Sequence, residues 1–179
     1  MKKIFLTLLV LLAASSAFAD ALNIPDVIPH NISELPFYGN VQKTPQMQQA
    51  DEQFKKTAIE KAGSADKASD YFAGQAWTAF QNAKLNDAIK RANESLLLDD
   101  RNYRAYWVMA IVQKFRGAPH DEVDALFKKA IANVSAADKA RFTQDYQTFL
   151  SGNDENAVDN LQQVSQEYQK AKKALVGGK

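Results

Sequence analysis

Apolar residues recur at intervals of three or four along most of the chain, which is the spacing of an amphipathic α-helix. Residues that begin or end helices interrupt this pattern, among them Thr44-Pro45 at a start and Gly63 and Gly117 at ends. No segment alternates between apolar and polar residues for long enough to predict a β-strand. The pattern therefore predicts an all-α protein of about seven helices, beginning at Pro45, Ala65, Asn86, Tyr103 and Pro119, after Ser135, and at Asp154. We expect the last helix to fray from Lys170 onward.

One helical-hairpin pattern occurs twice between residues 72 and 131. Small or aliphatic residues of the first copy return 34 or 35 residues later in the second. The matching pairs are Ala76 with Ala110, Ala83 with Gly117, Ala88 with Val123, and Leu96 with Ile131. Self-similarity at this period indicates a stacked array of helix pairs, each packing on its neighbours. In such an array we expect function from surfaces rather than from a catalytic cleft.

The two copies resemble the tetratricopeptide repeat (TPR), a helix pair of 34 residues. A second unit follows the first over residues 103–137, and a degenerate third, weakened by Arg141 and Asp145, follows over residues 138–170. Within the first unit, Gln75 and Asp100 depart from the family pattern. The resemblance implies a TPR-like α-solenoid of antiparallel helix hairpins in a domain of residues 45–179. The clearest unit, residues 69–102, matches at Phe72, Ala76, Phe80, Leu85, Ala88, Ile89 and Leu96-Leu97-Leu98-Asp99.

Residues 20–44, the arm, differ in composition from the helical domain. Pro25, Pro29 and Pro36 each remove a backbone donor and favour extended geometry in the residue before them. Apolar residues lie between these prolines, which a purely solvated linker would not need. We expect an extended Pro-rich arm that packs along the helical domain, and the alternative is a flexible tether. Phe37-Tyr38-Gly39 followed by Lys43-Thr44-Pro45 resembles the lead-in of small exported bacterial TPR proteins.

Residues 1–19 predict a secretory signal peptide. Lys2 and Lys3 precede an apolar run, and Ala17-Phe18-Ala19 gives a small-x-small cleavage signal before Asp20. The apolar run is shorter than the roughly 20 residues that a membrane-spanning helix requires. We therefore expect cleavage between Ala19 and Asp20. The mature protein is expected in the periplasm or outside the cell, without a membrane span.

Charge and composition argue against several classes of partner and site. Loss of Lys2 and Lys3 changes the net charge from +1, with 22 basic and 21 acidic residues, to −1. A chain so near neutrality has no general attraction to nucleic acid or to an anionic membrane. There is no cysteine, and the two histidines lack partners at metal-binding spacing. We expect no enzyme activity, no cofactor and no metal. The alternative considered is a cation site formed by His120, Asp121, Glu122 and Asp124.

The TPR resemblance also implies a binding surface. In TPR proteins the first helix of each repeat lines a concave groove, and aromatic residues and arginine supply much of the binding energy at protein interfaces. Alternatively, the aromatic residues at these positions form the core or lie beneath the arm. Ala73, Trp77 and Val108 replace the lysine and asparagines of carboxylate-clamp TPR proteins, so that mode of peptide binding does not match. The positions carried over predict partner binding by Trp77, Phe80, Arg104, Trp107, Ile111, Lys114 and Tyr146.

These observations predict a non-catalytic exported TPR adaptor or scaffold that binds a protein or peptide through its concave helical face. The alternative function is a structural or assembly component that acts through homo-oligomerisation. In that case the exposed terminal helices would form the contacts between copies.

Overall fold

The computed structural model of the protein describes residues 27–151 and 158–177, and within these ranges all regular structure is helical. The predicted all-α class is thus confirmed for the described part of the chain. None of the described helices is long and apolar enough to cross a membrane. The predicted signal peptide and its cleavage site, Ala19 and Asp20, lie outside the described residues. The seven described α-helices are α1 (Pro45–Ala62), α2 (Ala65–Gln81), α3 (Leu85–Leu98), α4 (Tyr103–Phe115), α5 (His120–Asn133), α6 (Ala136–Ser151) and α7 (Val158–Gly177).

Capping side chains fix the starts of several helices. The hydroxyl of Thr44 accepts a hydrogen bond from the Met47 amide at 3.3 Å, and Ser64 accepts one from Lys67 at 3.3 Å. These bonds satisfy amides that have no partner within the helix. At the other end of α1, Gly63 adopts φ 84°, a left-handed conformation that glycine enters without steric cost. Both ends of α1 were predictable from these residues.

The last helix differs from its prediction, because α7 continues to Gly177 instead of fraying from Lys170. Two contacts stabilise its C-terminal half. The Lys172 ammonium lies 2.8 and 2.7 Å from the two carboxylate oxygens of Glu122 on α5. Val176 packs so closely on Gly39 of the arm that a Cβ added at Gly39 would lie 2.8 Å from its Cγ2. The helix therefore persists because it packs against α5 and the arm.

The core is centred on α4, in which every residue from 105 to 113 is buried. The Trp107 ring packs edge-on against Phe127 of α5 and Phe142 of α6, with centroid distances of 4.8 and 5.0 Å. Ala76 and Ala110 are fully buried, and their small side chains allow neighbouring helices to approach closely. The apolar period of the sequence therefore identifies the faces that form the core.

The ends of α2 and α4 have the same backbone geometry, 34 residues apart. Ala83 has φ 57° and Gly117 has φ 63°, both left-handed. The amide of Lys84 donates to the carbonyl of Ala79 at 2.9 Å, and the amide of Ala118 donates to Gln113 at 3.0 Å. This repeated helix end agrees with the repeat that the sequence pattern predicts.

Candidate functional site

Five of the predicted partner-binding residues are buried side chains. Phe80, Trp107 and Ile111 each expose 1% of their surface, Tyr146 exposes 5% and Trp77 exposes 7%. The physical reason is that neighbouring aromatic rings cover them: Phe115 lies against Phe80, and rings of α5 and α6 enclose Trp107. These aromatic residues are packed as core residues, which is the alternative that the sequence left open. Partner binding through them stays a prediction, and their burial does not support it.

The two predicted cationic residues of the groove are half-buried and already contact other groups. Arg104 donates to the Asp70 carboxylate at 3.3 Å. Lys114 donates to the Phe149 carbonyl at 3.0 Å, and its ammonium lies 4.5 Å from the centroid of the Phe149 ring. A partner that bound these cations would have to replace those contacts, which costs part of the binding free energy.

The acidic residues beside His120 do not converge on one point. Glu122 pairs with Lys172, while Asp124 pairs with Lys128 and accepts a hydrogen bond from Tyr146. Burial, together with this bond to Asp124, raises the pKa of the Tyr146 hydroxyl to about 12. Within residues 27–151 and 158–177, no group of three or more histidine, aspartate or glutamate side chains is placed to bind a metal ion.

A buried arginine joins the arm to the helices. Arg116, at the end of α4, is fully buried and donates from Nε to the Val27 carbonyl at 2.9 Å and from Nη1 to the Glu34 carbonyl at 2.8 Å. It also donates to Gln113 at 3.2 Å and to Asn86 of α3 at 2.6 Å. Burial lowers the pKa of Arg116 to about 10, so the side chain remains charged at neutral pH. Its charge is solvated by carbonyl oxygens instead of water.

Asn93 of α3 makes a second connection between the arm and the helices. Its buried amide oxygen accepts from the Phe37 amide at 2.9 Å, and its nitrogen donates to the carbonyls of Ser33 and Leu35 at 2.9 and 2.8 Å. All three partners are backbone groups, so this contact depends on the path of the arm and not on its side chains. The arm from Val27 onward is therefore hydrogen-bonded to the helical domain.

Glu34 is a buried carboxylate at the same junction. It accepts from the His30 amide at 2.6 Å and lies 3.0 Å from the Lys90 ammonium of α3. Burial raises the pKa of Glu34, but these hydrogen bonds and the charge of Lys90 outweigh it, so that the net pKa is lowered. The carboxylate is thus ionised and paired in the folded protein at neutral pH.

The described part of the arm is not extended throughout, because it contains a left-handed turn at residues 37–40. Phe37, Tyr38, Gly39 and Asn40 have φ values between 52° and 66°. Glycine adopts this conformation without steric cost and asparagine tolerates it, whereas Phe37 and Tyr38 are each strained by about 1–2 kcal/mol. Such strain is retained where surrounding contacts over-determine the backbone, and here those contacts are Asn93 and α7.

The left-handed turn forms one wall of a pocket of about 360 Å³, which we call the arm pocket. Its arm wall consists of residues 35–37, Gly39 and Asn40, and α5 forms the opposite wall. A volume of this size is typical of sites for small molecules or peptide side chains. The helix residues that line the arm pocket are Gln113 of α4, Glu122, Ala125, Leu126 and Lys129 of α5, and Tyr168 and Lys172 of α7.

The polar residues that attach the arm to the helices are not predicted by the sequence pattern. Gln113, Arg116 and Asn93 are polar residues on helices, where the usual interpretation is a side chain facing solvent. One signal is present, since α4 is apolar on nearly all sides and is therefore predicted to be buried. Polar residues at its end then require buried hydrogen-bond partners, which identifies Gln113 and Arg116 as structural anchors but not what they bind.

Comparisons of the chain with protein-family models, with curated proteins and with solved structures return no match. The interpretation of the arm pocket therefore depends on the residues, distances and charges described above.

Proposed function

We propose that the protein is a non-catalytic exported adaptor with a TPR-like helix array, and that it binds a protein or peptide partner. The observation that carries this proposal is the arm pocket, a preformed cavity lined by both apolar and polar side chains, with Lys129 and Lys172 among them. Sites of this kind bind ligands with little reorganisation, because their walls are already ordered. The repeated helix end at Ala83 and Gly117 supports the TPR-like arrangement.

The binding surface proposed here differs from the concave face expected from the sequence. Most aromatic residues predicted for that face are buried, whereas the arm pocket opens between the arm, α5 and α7. The arm therefore contributes directly to the proposed site instead of covering it. A partner segment would contact both the arm and the helical domain, and docking of the arm is then a condition for binding.

Capture experiments with a blocked pocket test this function. Ala125 is an exposed residue that lines the arm pocket, and Ala132 is exposed on the same helix outside it. We expect Ala125→Trp to abolish capture of the partner from an exported-protein fraction, because the indole fills the cavity. Ala132→Trp is the matched control and should capture the partner as well as the unmodified protein does. Equal capture by both variants would show that the partner binds elsewhere.

Homo-oligomerisation is the second candidate function, and the N-terminal helical hairpin favours it. Helix α1 has no fully buried residue, and Tyr71 on α2 exposes 60% of its surface. The Phe72 ring contacts the rings of both Phe54 and Tyr71, and in this cluster Phe54 and Phe72 are partly buried whereas Tyr71 is exposed. Light scattering over a concentration series discriminates between the two functions. A constant monomer mass rules out the oligomer, whereas a dimer that Tyr71→Ala dissociates would support it.

Export is proposed from residues 1–19, whose pattern is that of a signal peptide. Expression of the full-length precursor in a bacterium with two membranes, followed by cell fractionation, tests this. We expect the protein in the periplasmic fraction or the medium, with an N-terminal sequence beginning at Asp20. A cytoplasmic protein that retains Lys2 and Lys3 would contradict export.

A further inference from the structure

We propose that two copies of the chain exchange arms, so that residues 27–37 of one copy dock on α3 and α4 of the other. The interaction surface is the groove of the helical domain that the arm occupies, and the partner that fits it is a second copy of this chain. Such exchange is independent of the adaptor function. Three features support it: the backbone contacts of the groove, the buried side chains of the arm, and the strained turn that folds the arm back.

Three side chains of the helical domain, Asn86, Asn93 and Arg116, hold the arm by its backbone. Asn86 donates to the Ile28 carbonyl at 2.9 Å. Asn93 and Arg116 make the further bonds to arm carbonyls and to one arm amide that are described above. A second copy presents the same backbone groups in the same order, so its arm can form all of these bonds without any change in the groove.

The buried side chains of the arm make a second copy the best-matched occupant of the groove. Val27 exposes 1% of its surface and Leu35 exposes none. Between them Glu34 places a buried carboxylate 3.0 Å from the Lys90 ammonium of α3. An occupant therefore needs two apolar residues and one carboxylate at fixed spacing, because a buried cavity or an unpaired charge is costly. A second copy of the arm has all three, whereas another extended segment would match them only by coincidence.

The left-handed turn is the part of the arm that exchange alters. Phe37 and Tyr38 have φ 52° and 55°, which strains both residues. In a single chain the turn is held by contacts of its own, among them Val176 against Gly39 and the Lys43 ammonium 3.9 Å from the centroid of the Tyr38 ring. A strained hinge favours exchange of an element between copies, because the hinge relaxes on opening while the docked segment keeps its contacts.

The connection between the docked arm and α1 is long enough to reach a second copy. Residues 38–44 span up to about 25 Å when extended, which is more than twice the roughly 10 Å diameter of a helix. Association costs translational and rotational freedom, so we expect each arm to dock on its own chain in dilute solution and to exchange at high concentration. In the exchanged dimer, Leu35 and Pro36 of one copy line the arm pocket of the other.

Mixed isotope labelling of the mature full-length protein tests the exchange. Labelled and unlabelled protein are unfolded together in urea and refolded at low and at high concentration, so that each arm can dock on either copy. We expect a dimer at high concentration, with isotope-filtered NMR contacts between the Asn93 side-chain amide of one copy and Leu35 of the other. A protein that stays monomeric at high concentration, or a dimer in which these contacts all lie within one chain, would overturn the proposal.

Substitution in the turn should shift the equilibrium towards exchange. Gly39→Ala adds a Cβ to a residue at φ 66°, 2.8 Å from Val176, which strains the closed turn but not the opened one. We expect the dissociation constant of the dimer, measured by light scattering, to fall at least about tenfold, because the strain is relieved in both copies. Gly63→Ala is the matched control, since Gly63 has φ 84° but lies outside the connection with nothing within 4 Å. An unchanged constant in Gly39→Ala, or an equal fall in Gly63→Ala, would overturn the proposal.

Two further variants separate exchange from other ways of forming a dimer. Asn93→Ala removes bonds between the groove and the arm, and we expect it to raise the dissociation constant at least about tenfold. Tyr71→Ala alters the exposed ring of α2 and should leave the exchanged dimer intact. A dimer that withstands Asn93→Ala, or that dissociates in Tyr71→Ala, would overturn the proposal. Circular dichroism verifies that each variant is folded, and the capture experiment with Ala125→Trp tests the adaptor function separately.

Discussion

The repeat region and the arm are stabilised by different kinds of contact. In α2–α5 the buried residues are overwhelmingly apolar, and Ala76 and Ala110 allow the helices to pack closely. The arm also buries apolar side chains such as Leu35, but its backbone is bonded to the helices by buried polar side chains, chiefly Arg116 and Asn93. Apolar contacts are non-directional, whereas hydrogen bonds require one relative position of donor and acceptor.

This difference affects how each region responds to substitution. An apolar core tolerates changes of shape and loses stability gradually, in proportion to the atoms removed. A buried polar junction fails more abruptly, because removal of one partner leaves the remaining groups without hydrogen bonds and away from water. The arm is therefore fixed in one register but depends on few side chains. Since it forms a wall of the arm pocket, binding depends on the same side chains.

Substitution of Arg116 is expected to have the largest effect. Arg116→Ala leaves the carbonyls of Val27 and Glu34 and the Asn86 amide oxygen without their donor. We expect a loss of about 3–5 kcal/mol in the free energy of unfolding, because three buried acceptors each lose a hydrogen bond that costs about 1–3 kcal/mol to leave unmade. Urea denaturation followed by circular dichroism measures it.

Arg101→Ala provides the control, because that side chain is 78% exposed and, among the described residues, pairs only with Asp99. It should change stability by less than about 0.5 kcal/mol. A loss of that small size in Arg116→Ala would mean that the arm junction adds little to stability, and the contrast between the two regions would not stand.

Asn93→Ala is expected to have the next largest effect, and to act mainly on the arm. It removes three hydrogen bonds to arm backbone groups, at Phe37, Ser33 and Leu35. We expect a loss of about 2–3 kcal/mol and faster hydrogen exchange at the Phe37 amide, with little change in α4.

Asn133→Ala is the corresponding control, because the Asn133 amide is exposed and donates to the Lys129 carbonyl of its own helix. If exchange at Phe37 were equally slow in both variants, Asn93 would not be what attaches the arm.

The helical part of the fold was predictable from local signals, whereas the arm junction was not. Thr44 and Gly63 mark the ends of α1 by their own capping chemistry, and the apolar period identifies buried faces. The contacts of Arg116 with Val27 and Glu34 join residues 89 and 82 positions apart, and no local pattern encodes such a pairing. Likewise the sequence left two alternatives open for Trp107, partner binding or the core, because the residue that covers it, Phe142 on α6, is distant in the sequence.

Two glycines of different surroundings test how tightly the left-handed turn is packed. Gly39→Ala places a Cβ at φ 66° and 2.8 Å from Val176, so we expect a loss of about 1–2 kcal/mol. Gly74→Ala, in the exposed face of α2 with nothing within 4 Å, should instead add up to about 1 kcal/mol through higher helix propensity. Thermal unfolding measures both. If Gly39→Ala were neutral, α7 would not be packed against the turn in solution.

The smallest effects are expected within the repeat region, where Ala83 and Gly117 share one backbone conformation. Ala83→Gly removes left-handed strain and should stabilise the protein by about 0.5 kcal/mol, after the entropy that glycine adds to the unfolded chain. Gly117→Ala introduces the same strain and should destabilise it by about 1 kcal/mol. Urea denaturation measures the free energy of unfolding of each variant, and we expect the two changes to have opposite signs. Changes of the same sign would mean that the two helix ends are not equivalent, and the repeat would then be a similarity of sequence without a common structure.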